Sequence, residues 1–214
     1  MMFRALSADW LKIRGKGIWF LAALGPIGLA AMQGLNFGLR YDYLMKSYAA
    51  DPWGGLLENV LFFVPIALFL GITLVCSLMA NVEHQLSSWK QLLALPISRT
   101  AVFSAKFLQA FLILCVSCLL LSISTAVLGI ILGMGADQMP YLDLLRIGFV
   151  QLFAALPMLA FQLWMSLTLK NQGIAVGIGI TASVVSMFAM QFPDWMPLKW
   201  PLLAYMGPGE AKVI

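Results

Sequence analysis

The chain has 214 residues, of which 62% are hydrophobic and 10% are charged. A soluble domain carries roughly 25% charged residues, and a globule cannot hide so large an apolar share, because much of its surface must face water. Soluble, disordered and fibrous classes are therefore excluded. Three cysteines (Cys76, Cys115, Cys118), all in apolar context, are too few for a disulfide scaffold.

Uncharged runs mark the membrane spans. Residues 17–39, 59–82, 107–136, 147–169 and 171–193 carry no Asp, Glu, Lys or Arg. Each run exceeds the roughly 20 residues that cross a hydrocarbon core about 30 Å thick. The runs are continuously apolar, where a barrel strand would alternate, so the expected fold is an all-α, polytopic membrane helix bundle. Five spans are predicted, at about 17–39, 59–82, 103–134, 144–169 and 171–193. The first is too long for the roughly 7–15-residue core of a signal peptide and holds Pro26, so it is read as a retained span. Pro65 and Pro157, inside the second and fourth spans, predict kinks, which serve a gate or a static bundle equally.

Orientation follows from Lys and Arg. With the N-terminus inside, Arg4, Lys12, Arg14, Lys16, Lys90, Arg99, Lys106 and Lys170 are cytoplasmic, against only Asp9 and Glu83. The outer segments carry Arg40, Lys46, Arg146, Lys199 and Lys212 against seven acidic residues. The net charge of +4 is thus explained by topology, and no nucleic-acid partner is called for. Multi-pass insertion is expected, with the lipid bilayer as surroundings. Residues 194–214, with Trp195, Trp200 and Tyr205, would form an outer tail at headgroup level.

Two segments are more than membrane filler. Phe3, Leu6, Trp10 and Ile13 recur at helical spacing with Arg4, Lys12, Arg14 and Lys16 around them, which reads as an interfacial amphipathic helix over 1–16 or as a plain basic flank. In the loop 83–100, Leu86, Trp89, Leu92 and Leu93 make an apolar stripe, and Pro96 ends that helix. Such a short helix can dock in the groove of a soluble partner or lie on lipid. Glu83 either pairs with a basic residue of the N-terminal helix or marks a solvated helix end.

The sequence Glu83-His84-Gln85-Leu86-Ser87-Ser88-Trp89-Lys90, followed by Leu95-Pro96-Ile97-Ser98-Arg99 and Lys106, resembles the permease subunits of type-2 ABC exporters. The resemblance is nearest to the bacterial group for lantibiotic immunity and for antimicrobial-peptide or multidrug export. It implies that the loop is the coupling element against a separate ATP-binding subunit, with Glu83, Leu86, Trp89, Lys90, Leu92, Leu93, Pro96 and Arg99 in the coupling region. ATP and Mg would then be held by that partner and no cofactor by this chain. It further implies a second permease subunit, as homo- or heterodimer. Family members have six spans and a cytoplasmic C-terminus, so a chain with five apolar runs is expected to be a truncated or divergent form with its end outside.

Catalytic chemistry finds no support. His84 is the one histidine, which excludes two-His metal motifs, and no G-x-x-x-x-G-K-[ST] phosphate-binding loop occurs. No span holds an acidic residue at mid-depth, where one would mark a functional site. No catalytic residue and no metal site are assigned. Cys115-x-x-Cys118 reads as packing. Gly173, Gly177 and Gly179, with Ala182 and Ser186, give the fifth span a small-residue face for close helix packing or a dimer seam. Gln33, Asn36, Gln151 and Gln162 either line a pathway or bond helix to helix. The expected function is a permease exporting a hydrophobic or amphipathic substrate, an antimicrobial peptide by resemblance. The alternative is a membrane scaffold or sensor that binds a cytoplasmic partner through 83–100.

Overall fold

The structure, a computed structural model, describes residues 17–85 and 99–207, apart from the side chains of 83–85 and 99. The expectations for the interfacial helix 1–16, for Leu86, Trp89, Lys90, Leu92, Leu93 and Pro96, for the side chains of Glu83 and Arg99, and for 208–214 lie outside the described residues. Among the described residues the secondary structure is helical, without a strand. In chain order the helices are α1 (Ile18–Leu39), α2 (Tyr41–Ser47), α3 (Pro52–Gln85), α4 (Arg99–Ile131), α5 (Tyr141–Ala154), α6 (Leu156–Thr168), α7 (Gln172–Val185), continued as a 3-10 turn over Ser186–Gln191, and α8 (Trp200–Met206).

Helix α3 is the hub, packed against α1, α4, α5, α6 and α7. It starts at Pro52, earlier than the uncharged run, because a charge marks where hydrocarbon begins and not where a helix begins. The Asp51 carboxylate accepts from the Gly54 N–H at 2.9 Å, and Pro52 follows at the first helical position, where its missing N–H is not needed. With 34 residues α3 is about 51 Å long, more than a hydrocarbon core requires. Helix α4 stops where Gly133 adopts φ 80°, with the Met134 N–H bonded back to the Gly129 carbonyl at 3.1 Å, a left-handed closure that only glycine makes without strain.

The fourth span is broken. Its halves α5 and α6 meet at Ala155 with a bend of 54°. Pro157 follows immediately, and its ring opposes the carbonyl of Phe153, one helical turn back. With 14 and 13 residues neither half crosses alone. Together, at that bend, they reach about 36 Å, enough for one crossing. Four helices, the last being α7 with its 3-10 extension, are long and apolar enough to cross a membrane, and this pair taken as one span makes five. At Pro65 and Pro26, by contrast, the helix continues through the proline.

The core falls into two clusters stacked along the bundle. One, toward Gln85, is built on Ile18, Ile72, Ile113, Leu159 and Leu163. The other, toward Trp53, is built on Phe37, Leu56, Val60, Ile147 and Leu202. Around them Phe20, Leu24, Ile27, Leu35, Phe62, Ile123 and Ile131 are exposed. So broad an apolar surface is untenable in water and suits lipid.

Candidate functional site

Two concavities are candidates. The first is a groove of about 490 Å³ at mid-height between α1, α3 and α4. Leu24, Pro26 and Met32 form one wall, Phe63, Ala67 and Leu74 the other, and Leu114, Ser117 and Leu121 the floor. Its hydroxyl group is already engaged, since Ser117 Oγ donates to the Ala22 carbonyl at 2.8 Å. Exposed Leu24 stands at its edge. Such a groove offers hydrocarbon contact and almost nothing else.

The second cavity, about 360 Å³, lies at the Trp53 end. Tyr48, Glu58, Asn59, Phe62 and Pro65 bound it on one side, and Ser186, Met187, Met190, Leu202 and Met206 on the other. A polar chain leads to it: Asn36 Nδ2 donates to Gln33 Oε1 at 3.2 Å, Gln33 Nε2 to the Asn59 carbonyl at 2.9 Å, and Asn59 Nδ2 to Tyr48 Oη at 3.3 Å. Glu58 was legible only as an outer charge, and Ser186 only as a small residue. The one available signal is that Glu58 is the last charge before the second uncharged run.

The four span polar residues divide. Gln33 and Asn36 join that chain. Gln162 bonds helix to helix, its Nε2 donating to the Ala175 carbonyl at 2.9 Å. Gln151 is fully buried on α5 and donates to the Ile147 carbonyl of its own helix at 3.0 Å, with its Oε1 unpartnered. The glycines divide too. A Cβ on Gly179 would collide with the Thr73 side chain, so this glycine serves the α7–α3 contact within the chain. Gly173 and Gly177 are exposed, and the Gly173 N–H donates to the capping Asn171 Oδ1 at 3.0 Å. The face turned inward is Ala175, Gly179, Ser183 and Ser186.

The C-x-x-C pair holds free thiols, and Cys118 packs on α5, where a Cβ on Gly148 would stand 3.1 Å from its Cβ. Lys106 is buried at 2% exposure, although charge counting places it in a loop. At the other end Lys199 is buried and bonds Asp194 Oδ1 at 2.8 Å and the Phe192 carbonyl at 2.9 Å. The tail is thereby folded back, with α8 resting on α5 and Arg146 stacked over the Tyr205 ring at 5.9 Å. Among the described residues no group of three or more His, Cys, Asp or Glu could hold a metal ion.

A bundle with four to five long apolar helices, clad in exposed apolar side chains and with concavities between them, defines a multi-pass membrane protein. The sequence profile of the ABC-2 family transporter proteins matches residues 5–188, and the chain belongs to that family. It is a membrane permease of an ABC transporter, a transport subunit whose family implies an ATP-binding partner. No curated protein and no solved structure matches it.

Proposed function

We propose that the chain is the permease subunit of an ATP-driven exporter in a bacterial cytoplasmic membrane, with its N-terminus inside. The observation that carries the reading is the family match over 5–188 on a chain that has no phosphate-binding loop of its own. Work must then enter from a separate ATP-binding subunit, which would hold ATP and Mg. The segment 83–100 connects α3 to α4 in the sequence, so a partner gripping Leu86, Trp89, Leu92 and Leu93, with Lys90 and Arg99 toward its acidic rim, would move the two longest helices together. A second permease subunit would complete the path.

The substrate is hydrophobic or amphipathic. The groove beside Pro26 supports this, because its walls are apolar and face lipid, while a small ion would find no charge at that depth. An antimicrobial peptide, and with it a role in resistance, rests on the resemblance of the 83–99 segment alone.

The test is co-purification with an ATP-binding subunit. Trp89→Glu and Leu93→Glu should each release that subunit and abolish stimulation of its ATPase. If both variants keep the complex and the stimulation, the coupling role is wrong. A loop that retains a different cytoplasmic protein instead would make the chain a scaffold or sensor.

A further inference from the structure

Glu58 lies six residues beyond the start of α3, inside the helix and exposed toward the cavity at the Trp53 end. The two ion pairs described at this end, Asp143–Arg146 and Asp194–Lys199, do not include it. Among the described residues no Lys, Arg or His lines the cavity. Its volume of about 360 Å³ falls within the roughly 300–1,000 Å³ of small-molecule sites, which join apolar walls to a few convergent polar groups.

Those polar groups lean toward acceptors, with the Tyr48 hydroxyl, which accepts from Asn59 at 3.3 Å, keeping the one O–H donor among their side chains. The Asn59 amide spends its N–H donors on the Gly55 carbonyl at 2.8 Å and on Tyr48 Oη at 3.3 Å, which leaves its Oδ1 as an acceptor. The Ser186 hydroxyl donates to the Ser183 carbonyl at 2.6 Å, which leaves its lone pairs. A carboxylate is an acceptor only. Beside that O–H, what remains on offer is a negative charge, neutral acceptors, the adaptable thioether of Met190 and the aromatic ring of Phe62, which attracts cations at its face.

A ligand that matches this has N–H donors or a positive charge at one end and an apolar body. We propose that the cavity binds a small amphipathic cation, an ammonium or guanidinium on a hydrophobic frame, with Glu58 receiving its charge. As a substrate class the assignment rests on the transport reading, whereas the binding itself does not.

The full chain in nanodiscs of zwitterionic lipid, titrated with rhodamine 6G as a lipophilic cation and Nile red as an uncharged control, tests this. Saturable rhodamine 6G binding beyond that of empty nanodiscs is expected. Glu58→Gln should weaken it about tenfold, the equivalent of about 1.4 kcal/mol, Glu58→Asp should keep most of it, and Nile red should not respond. Met190→Trp, which fills the cavity and leaves the charge, should weaken both dyes. Absence of saturable binding, or equal rhodamine 6G affinity in Glu58→Gln and the parent chain, overturns the inference. So does an equal loss of both dyes in Glu58→Gln. Glu58-dependent binding by a chain that recruits no ATP-binding subunit overturns the transport reading alone, and an intact complex without such binding overturns this inference alone.

Discussion

Ser117 Oγ on α4 donates to the carbonyl oxygen of Ala22 on α1 at 2.8 Å. Ala22 is the residue whose carbonyl would accept from position 26 in an uninterrupted helix, and position 26 is proline, which has no N–H. In hydrocarbon an unsatisfied backbone carbonyl is costly, and a neighbouring hydroxyl is a common remedy. The serine thus explains how α1 runs through Pro26 unbroken, and it ties α1 to α4 at the floor of the lipid-facing groove.

Ser117→Ala should destabilise the bundle by about 0.5–1.5 kcal/mol, the range of hydrogen bonds between membrane helices. Adding Pro26→Ala restores the intrahelical donor and should recover most of the loss. Unfolding of the four species in detergent with increasing sodium dodecyl sulfate, followed by helicity, gives the coupling energy. Additive losses would mean that the two residues act independently.

Trp53 clasps the ends of α3 and α4. Its Nε1 donates to the Met134 carbonyl at 3.2 Å and to the Gly135 carbonyl at 3.1 Å, and its ring occupies the space where Gly129 would carry a Cβ. Trp53→Phe should cost about 1 kcal/mol through the lost donor. Gly129→Ala should cost about 1–3 kcal/mol, because a rigid ring in a packed site cannot simply turn away. The same unfolding titration reads both, and no effect of Gly129→Ala would disprove the contact.

Gly179 and Gly177 sit two residues apart and should behave oppositely. Gly179→Val drives a side chain into Thr73 and should destabilise the monomer by about 1–3 kcal/mol. Gly177 has open space around its Cβ position, so Gly177→Val should leave monomer stability unchanged within about 0.5 kcal/mol. Cross-linking of Gly177→Cys between copies tests whether this open face is the permease dimer seam.

Tyr205, on the folded-back tail, has its phenol pushed above the usual value of about 10, first by burial and then by Asp143, while Arg146 opposes the shift. A raised folded-state value means that the neutral phenol is the favoured form. Its contribution to α8 docking is therefore complete below the unfolded-state value and is lost as pH rises through the higher folded-state value. Asp143→Asn should lower the Tyr205 value, and Arg146→Ala should raise it further. Carbon NMR of labelled tyrosine reads the titration, and shifts in the opposite sense would refute the assignment.

Some of this was legible beforehand and some was not. The membrane helix bundle, the polar residues within its apolar helices and the packing of the C-x-x-C pair were readable from charge gaps and spacing. The sequence could not say that Pro157 breaks its span while Pro65 does not, since the two look alike in a string. Nor could it say that, of the three glycines, Gly179 is the one that faces another helix, at Thr73.

Burying a charge in hydrocarbon is so costly that any long run without one must be accounted for by lipid, whatever surrounds it. That one-dimensional rule is why composition and charge spacing alone determined a multi-pass helical protein. Which side chains meet depends on helix rotation, tilt and depth, quantities that arise only when several helices pack at once. Tertiary structure alone therefore decided that Ser117 answers Pro26, that Lys199 turns inward to Asp194, and that Glu58 borders a cavity beside the free acceptors of Asn59 and Ser186.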